Sequence, residues 1–240
     1  NRVQSQRELR NQKQKSLIMS KVSFEDISIY ADTDKMICLD HTRLYYRNLR
    51  IKSALIELLP AQSKDTVTII VTENWDILAE INADHFNFLI IVVPENVVMP
   101  LNTNLYNAII YRYKENESYQ VVFEEILVSL ISFIFDRDYS IDFQDVKKNL
   151  SFKQGQYLNI DYSSLNMNVL DEMEFYNFQY NTSFIIHMNL KSLKFEKMTE
   201  VMNIVGEKLV DEHWGDILYE VKDCGGIFPE EVFILYTVAD

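Results

Sequence analysis

Residues 66–72 read TVTIIVT, and residues 88–93 read FLIIVV ahead of Pro94. Both are short runs of β-branched and aliphatic side chains with no alternation of polar and apolar positions. A strand covered on one face alternates, because successive side chains point to opposite sides of the sheet. A run that is bulky at every position belongs to a strand covered on both faces, as in parallel sheets flanked by helices. Between the two runs, Trp75–Ile81 has the length and spacing of a short helix. Strand, helix and strand in that order predict an α/β chain with a parallel sheet.

Working outward, Val22–Tyr30 alternates weakly and predicts a strand. Arg43–Leu59 spaces Leu44, Leu49, Ile51, Leu55, Ile56 and Leu59 in a way that predicts a helix ended by Pro60. Downstream, Ser118–Phe135 predicts a helix that is apolar nearly all round after Glu125, and therefore buried between layers. Beyond it the rhythm changes. A short helix at Phe143–Leu150, a strand at Tyr157–Tyr162 and an irregular or helical piece at Asn166–Phe178 are expected. A strand at Ser183–Met188, a helix at Phe195–Val210 and strands at Ile217–Lys222 and Val232–Val238 follow, with Gly225-Gly226 as the turn between the last two. This closing β-α-β-β order predicts a separate α+β unit. The expected divisions are a basic tail over 1–21, an α/β region over 22–117, a central helix over 118–135 and an α+β domain over 136–240.

Composition narrows the function. The 240 residues are 48% hydrophobic and 25% charged, ordinary values for a chain with a core. The formal net charge is −13, yet residues 1–21 hold Arg2, Arg7, Arg10, Lys13, Lys15 and Lys21 against Glu8 alone. The rest of the chain is therefore more acidic than the total, which argues against a nucleic-acid footprint over the folded part. The basic tail is the one stretch suited to an anionic partner or membrane surface, and such a segment also occurs as a solvated end. Cys38 and Cys224 stand alone, and His41, His85, His187 and His213 have no metal-ligand spacing, so neither a disulfide framework nor a zinc site is expected. No long apolar run of a secretion signal opens the sequence. Val121–Phe135 is too short to span a bilayer and contains Glu124 and Glu125, so a cytoplasmic location is expected.

Several stretches, taken in order, resemble the FtsZ/tubulin family. FLIIVVP at Phe88–Pro94 is similar to the last strand of the family's nucleotide domain, and Ser118–Phe135 stands where its central helix would be. Ser140-Ile141-Asp142-Phe143-Gln144-Asp145-Val146-Lys147 resembles the loop after that helix, whose family pattern is N-x-D-F-x-D-V-R. Phe184 to Val238 follows the family's last strand–helix–strand–strand unit. The resemblance covers roughly residues 50–240. It implies a reduced parallel-sheet nucleotide domain, a buried central helix and a C-terminal α+β domain with a mixed sheet.

The glycines then discriminate. Wrapping phosphates with backbone requires positions that tolerate φ > 0 and close approach, hence glycine. The family is expected to carry glycine-rich loops, G-G-G-T-G-T/S-G among them, before the equivalent of Arg43–Leu59. Here the five glycines are Gly155, Gly206, Gly215, Gly225 and Gly226, all in the second half. The family's first strand and first helix are expected to be missing, with Val22–Tyr30 aligning to a later strand. No nucleotide, cofactor or catalytic residue is therefore expected.

The acidic loop is better kept. In the family its acids face the nucleotide of the next subunit, and Asp142 and Asp145 match them, with Ser140 in place of the usual Asn. Ser140, Asp142 and Asp145 are thus candidates for a partner interface. The plainer alternative is that Asp142 caps, and Asp145 opens, the helix Phe143–Leu150. The resemblance implies a non-catalytic protein that works by contact with FtsZ-like subunits or with copies of itself, in a homo- or hetero-oligomer. It would cap, anchor or regulate a filament. The alternatives are GTP-independent self-assembly and a residual GTPase.

Overall fold

Strands predominate among the described residues, and their pairing explains which side chains had to be apolar. The computed structural model describes residues 25–32, 49–97, 103–114, 143–153, 155–164, 182–192, 194–208, 214–223 and 230–239. The strands are β1 (Glu25–Ala31), β2 (Leu49–Leu55), β3 (Val67–Val71), β4 (Leu89–Pro94), β5 (Ala108–Tyr113), β6 (Gln156–Ser164), β7 (Thr182–Leu190), β8 (Trp214–Asp223) and β9 (Glu231–Ala239). Among the described residues three α-helices accompany them: α1 (Trp75–Glu80), α2 (Phe143–Leu150) and α3 (Phe195–Lys208).

The strands form one nine-stranded sheet in the order β2-β1-β3-β4-β5-β6-β9-β7-β8. β1 to β5 pair in parallel throughout. β5 meets β6 in parallel at the register pair Tyr111↔Leu158. β9 then runs antiparallel between β6 and β7, and β8 lies parallel to β7. A parallel first half followed by a mixed second half is the α/β class expected from the sequence. The closing order β7, α3, β8, β9 is the strand–helix–strand–strand succession expected of the FtsZ/tubulin-like fold.

The doubly covered reading of the central runs holds residue by residue. Every side chain of β3 and β4 is buried. Ile69, Ile90, Val92, Ile109 and Tyr111 pack on one face with Val146 and Leu150 of α2, and that core continues to Ile185 and Leu235. Ile70, Leu89, Ile91, Val93 and Ile110 pack on the other face with Leu78 of α1 and Phe152. In the second half, Phe184, Ile186, Met188, Ile234 and Tyr236 meet Val201 and Val205 of α3. Fully burying an aliphatic side chain of this size contributes about 1.5–3 kcal/mol, so these layers dominate the stability.

Local signals set the helix ends. Asn74 Oδ1 accepts the N–H of Asp76 at 3.0 Å and starts α1. Val146 and Leu150, four residues apart, are the buried positions of α2, while Lys147 and Lys148 occupy its last turn, where cations suit the helix dipole. Gly155 has φ +82°, a conformation that glycine adopts without a Cβ clash, in the turn entering β6.

Three expectations need correction. Arg43–Leu59 is not a helix over its described part: β2 occupies Leu49–Leu55 and a single 3-10 turn follows at Ile56–Leu58. Helical spacing would have buried one stripe, but Leu55 is 36% and Leu58 68% exposed, and the backbone instead pairs with β1. Phe88–Pro94 is not the last strand of the parallel half, because β5 (AIIYRY) adds another beside it. The strand expected at Val22–Tyr30 is present, as β1 at Glu25–Ala31. β1 lies inside the sheet between β2 and β3, the place of the first strand in a 2-1-3-4-5 order. Finally, the last two strands are not neighbours, since β7 lies between β8 and β9. Ser118–Phe135, Asn166–Phe178, Gly225-Gly226 and the basic tail lie outside the described residues.

Candidate functional site

In an open parallel sheet of order 2-1-3-4-5, chain direction across the sheet reverses between strands 1 and 3. The crevice at their carboxyl ends is where such folds bind ligands. Here that place is defined by Asp32, immediately after β1, and by Thr72, Glu73 and Asn74, immediately after β3.

The crevice is tied together from within. The Asp32 backbone N–H donates to the Val71 carbonyl at 3.2 Å. Its carboxylate accepts the Thr72 hydroxyl at 2.9 Å and the Glu73 N–H at 3.0 Å. Thr72 Oγ1 accepts the N–H of Asn74 at 2.9 Å, which hands the chain on to α1. On the far side, the Tyr113 hydroxyl at the end of β5 donates to Glu73 Oε1 at 3.4 Å, and the Glu95 N–H donates to the Tyr113 carbonyl at 2.8 Å. A loop that binds phosphate directs free N–H groups at its ligand. In this loop the Glu73 N–H is engaged by a carboxylate of the same chain.

Charge at this end of the sheet has the same sense. Glu57, Glu73, Asp76 and Glu95, which follow the carboxyl ends of β2, β3 and β4, are exposed, as is Lys114 after β5, while the Arg112 side chain donates to the Val97 carbonyl. A polyphosphate approaching here meets like charge. No glycine lies in the first 154 residues, so every non-proline position along these loops carries a Cβ and no glycine hinge.

The candidate acidic loop falls elsewhere. Asp145 is half-buried in the first turn of α2, and its backbone carbonyl accepts the Asn149 side-chain amide at 2.8 Å. α2 leads to the amino end of β5, where the Phe152 N–H donates to the Ala108 carbonyl at 2.7 Å. Ser140 and Asp142 lie outside the described residues. The crevice residues Asp32, Thr72 and Glu73 went unread in the sequence. Their signal was positional: they are the first polar residues after two strand runs, at the carboxyl ends where such sheets place their chemistry.

A second polar group is enclosed in the other half. His187 is fully buried; its Nδ1 lies 3.3 Å from Glu220 Oε2 and its Nε2 lies 3.0 Å from Asn189 Oδ1. Register explains the meeting, because His187 pairs with Glu220 across β7 and β8 while Asn189 shares the His187 face two residues on. The Phe233 ring lies 6.1 Å from the imidazole. Among the described residues no three His, Cys, Asp or Glu side chains group so as to hold a metal ion. No helix among them is long and apolar enough to cross a membrane.

No protein-family model matches the chain, and no curated protein matches it in sequence. Solved structures do. GDP-form protofilaments of TubZ from Bacillus thuringiensis serovar israelensis match with a TM-score of 0.48 at 10% identity, over 90% of this chain and 85% of TubZ. A GTPγS-form protofilament of the same protein matches with a TM-score of 0.47 at 10% identity, over 90% and 88%. GDP-bound monomeric CetZ1 from Haloferax volcanii matches with a TM-score of 0.43 at 10% identity, over 73% of this chain and 65% of CetZ1.

Proposed function

We propose that this protein is a non-catalytic FtsZ-like protein that acts by contact with other protein subunits, capping, anchoring or regulating a filament, and that it holds no nucleotide. The carrying observation is the crevice at the carboxyl ends of β1 and β3. Asp32 occupies the Thr72 hydroxyl and the Glu73 N–H, and exposed acids follow the carboxyl ends of the neighbouring strands. With the phosphate-facing end closed in this way, activity falls to surfaces rather than to chemistry on a bound cofactor.

The partner on this reading is an FtsZ-like subunit or a second copy of the chain, met through the acidic segment of Ser140, Asp142 and Asp145. Nucleic acid is not a partner, and any membrane contact falls to the basic tail. Co-sedimentation with FtsZ polymers is expected to drop on Asp142→Ala/Asp145→Ala substitution; binding unchanged by that pair removes the segment as the docking surface. Calorimetric titration with GTP and GDP is expected to give no heat at millimolar ligand. Measurable heat favours a residual GTPase instead.

GTP-independent self-assembly is the second reading. It is favoured by the two outer strands: among the described residues, β2 pairs only with β1 and β8 only with β7. Unpaired strand edges are templates for another chain. Light scattering and negative-stain microscopy of the purified protein separate the two readings, since only self-assembly yields large particles without a partner.

A further inference from the structure

No further inference is drawn: the strongest candidate, the buried side-chain cluster of His187, Asn189 and Glu220 between β7 and β8, is closed from solvent and hydrogen-bonded within itself, so it joins two strands and presents no group to a ligand.

Discussion

The parallel and mixed halves of the sheet place their polar chemistry in opposite ways. From β1 to β5 the strand interiors are largely apolar, and the carboxylates gather at the strand ends, where Asp32, Glu73 and Glu95 meet solvent or one another. From β7 to β9 buried polar side chains lie on the strands themselves, His187 and Glu220 in their interiors and Asn189 and Glu231 near their ends. The difference follows from what each half must specify. Parallel strands joined by crossovers take their register from the connecting helices and tolerate uniform apolar faces. β7 and β8 are also parallel and joined through α3, yet the His187–Glu220 pair between them adds a polar contact that penalises any register but one.

That contrast is broken most directly by His187→Ala. The substitution leaves the Glu220 carboxyl enclosed without the ring it faces, and removing one partner of a buried pair costs about 4 kcal/mol. Urea unfolding is the measurement. Replacing both partners, as in His187→Leu/Glu220→Leu, is expected to recover part of the loss, because apolar groups need no partner, although Asn189 Oδ1 still loses its contact with His187 Nε2. If the double variant is as unstable as the single one, the cluster contributes packing rather than polar pairing.

In the parallel half the comparable substitution is Ile90→Ala in β4. Ile90 is fully buried, and truncation leaves a cavity in a layer that cannot collapse, at a cost of about 3 kcal/mol. No second substitution at a paired neighbour is expected to restore the loss by removing a polar group, since Ile90 pairs with Ile69 and Ile109, both apolar. A double variant with Ile69→Ala that proves less destabilised than Ile90→Ala alone would count against this.

How far these features could be read in advance follows the same division. TVTIIVT and FLIIVV disclosed β3 and β4 because a doubly covered strand writes its burial into every position. Phe143–Leu150 was legible because Val146 and Leu150 are spaced for a helix and Asp145 opens it. β2 was misread, since Leu49, Ile51 and Leu55 satisfy both a period of two and a loose helical stripe; pairing with β1 decided between them. β5 went unread although AIIYRY is apolar, because the tyrosines and Arg112 obscure the run until the ring of Tyr157 is seen 4.0 Å from the Arg112 guanidinium. The candidate site was legible only as an absence of glycine. That Asp32 would meet Thr72 and Glu73 depends on the reversal of strand order between β1 and β3, which no local pattern records.

The strand-end chemistry is tested by Asp32→Ala, which removes the acceptor for the Thr72 hydroxyl and the Glu73 N–H at a half-buried position. A loss of about 1.5 kcal/mol is expected, smaller than for either interior substitution because water can replace the carboxylate. Asp32→Asn keeps the shape and one acceptor and is expected to lose less. Equal losses for the two variants would mean that the negative charge, rather than the hydrogen bonds, holds the crevice.

The smallest expected effect lies at the rim of the mixed half and depends on pH. Glu230 accepts the Lys197 ammonium and the Lys191 N–H, the latter at 3.1 Å, so the start of β9 is pinned to the segment between β7 and α3. The Lys197 hydrogen bond, ahead of the Lys191 N–H, holds the Glu230 carboxyl below its ordinary value of 4.5. A carboxyl whose folded value is depressed stabilises the native state above its unfolded value, and that contribution disappears as pH falls through the folded one. Stability should therefore decline as acid is added below about pH 4.5, on account of this group, and Glu230→Gln should flatten that part of the profile. Both side chains are partly exposed, so the difference is expected to stay below about 1 kcal/mol and to shrink with added salt. A profile equally steep in wild type and Glu230→Gln would move the acid sensitivity away from this rim.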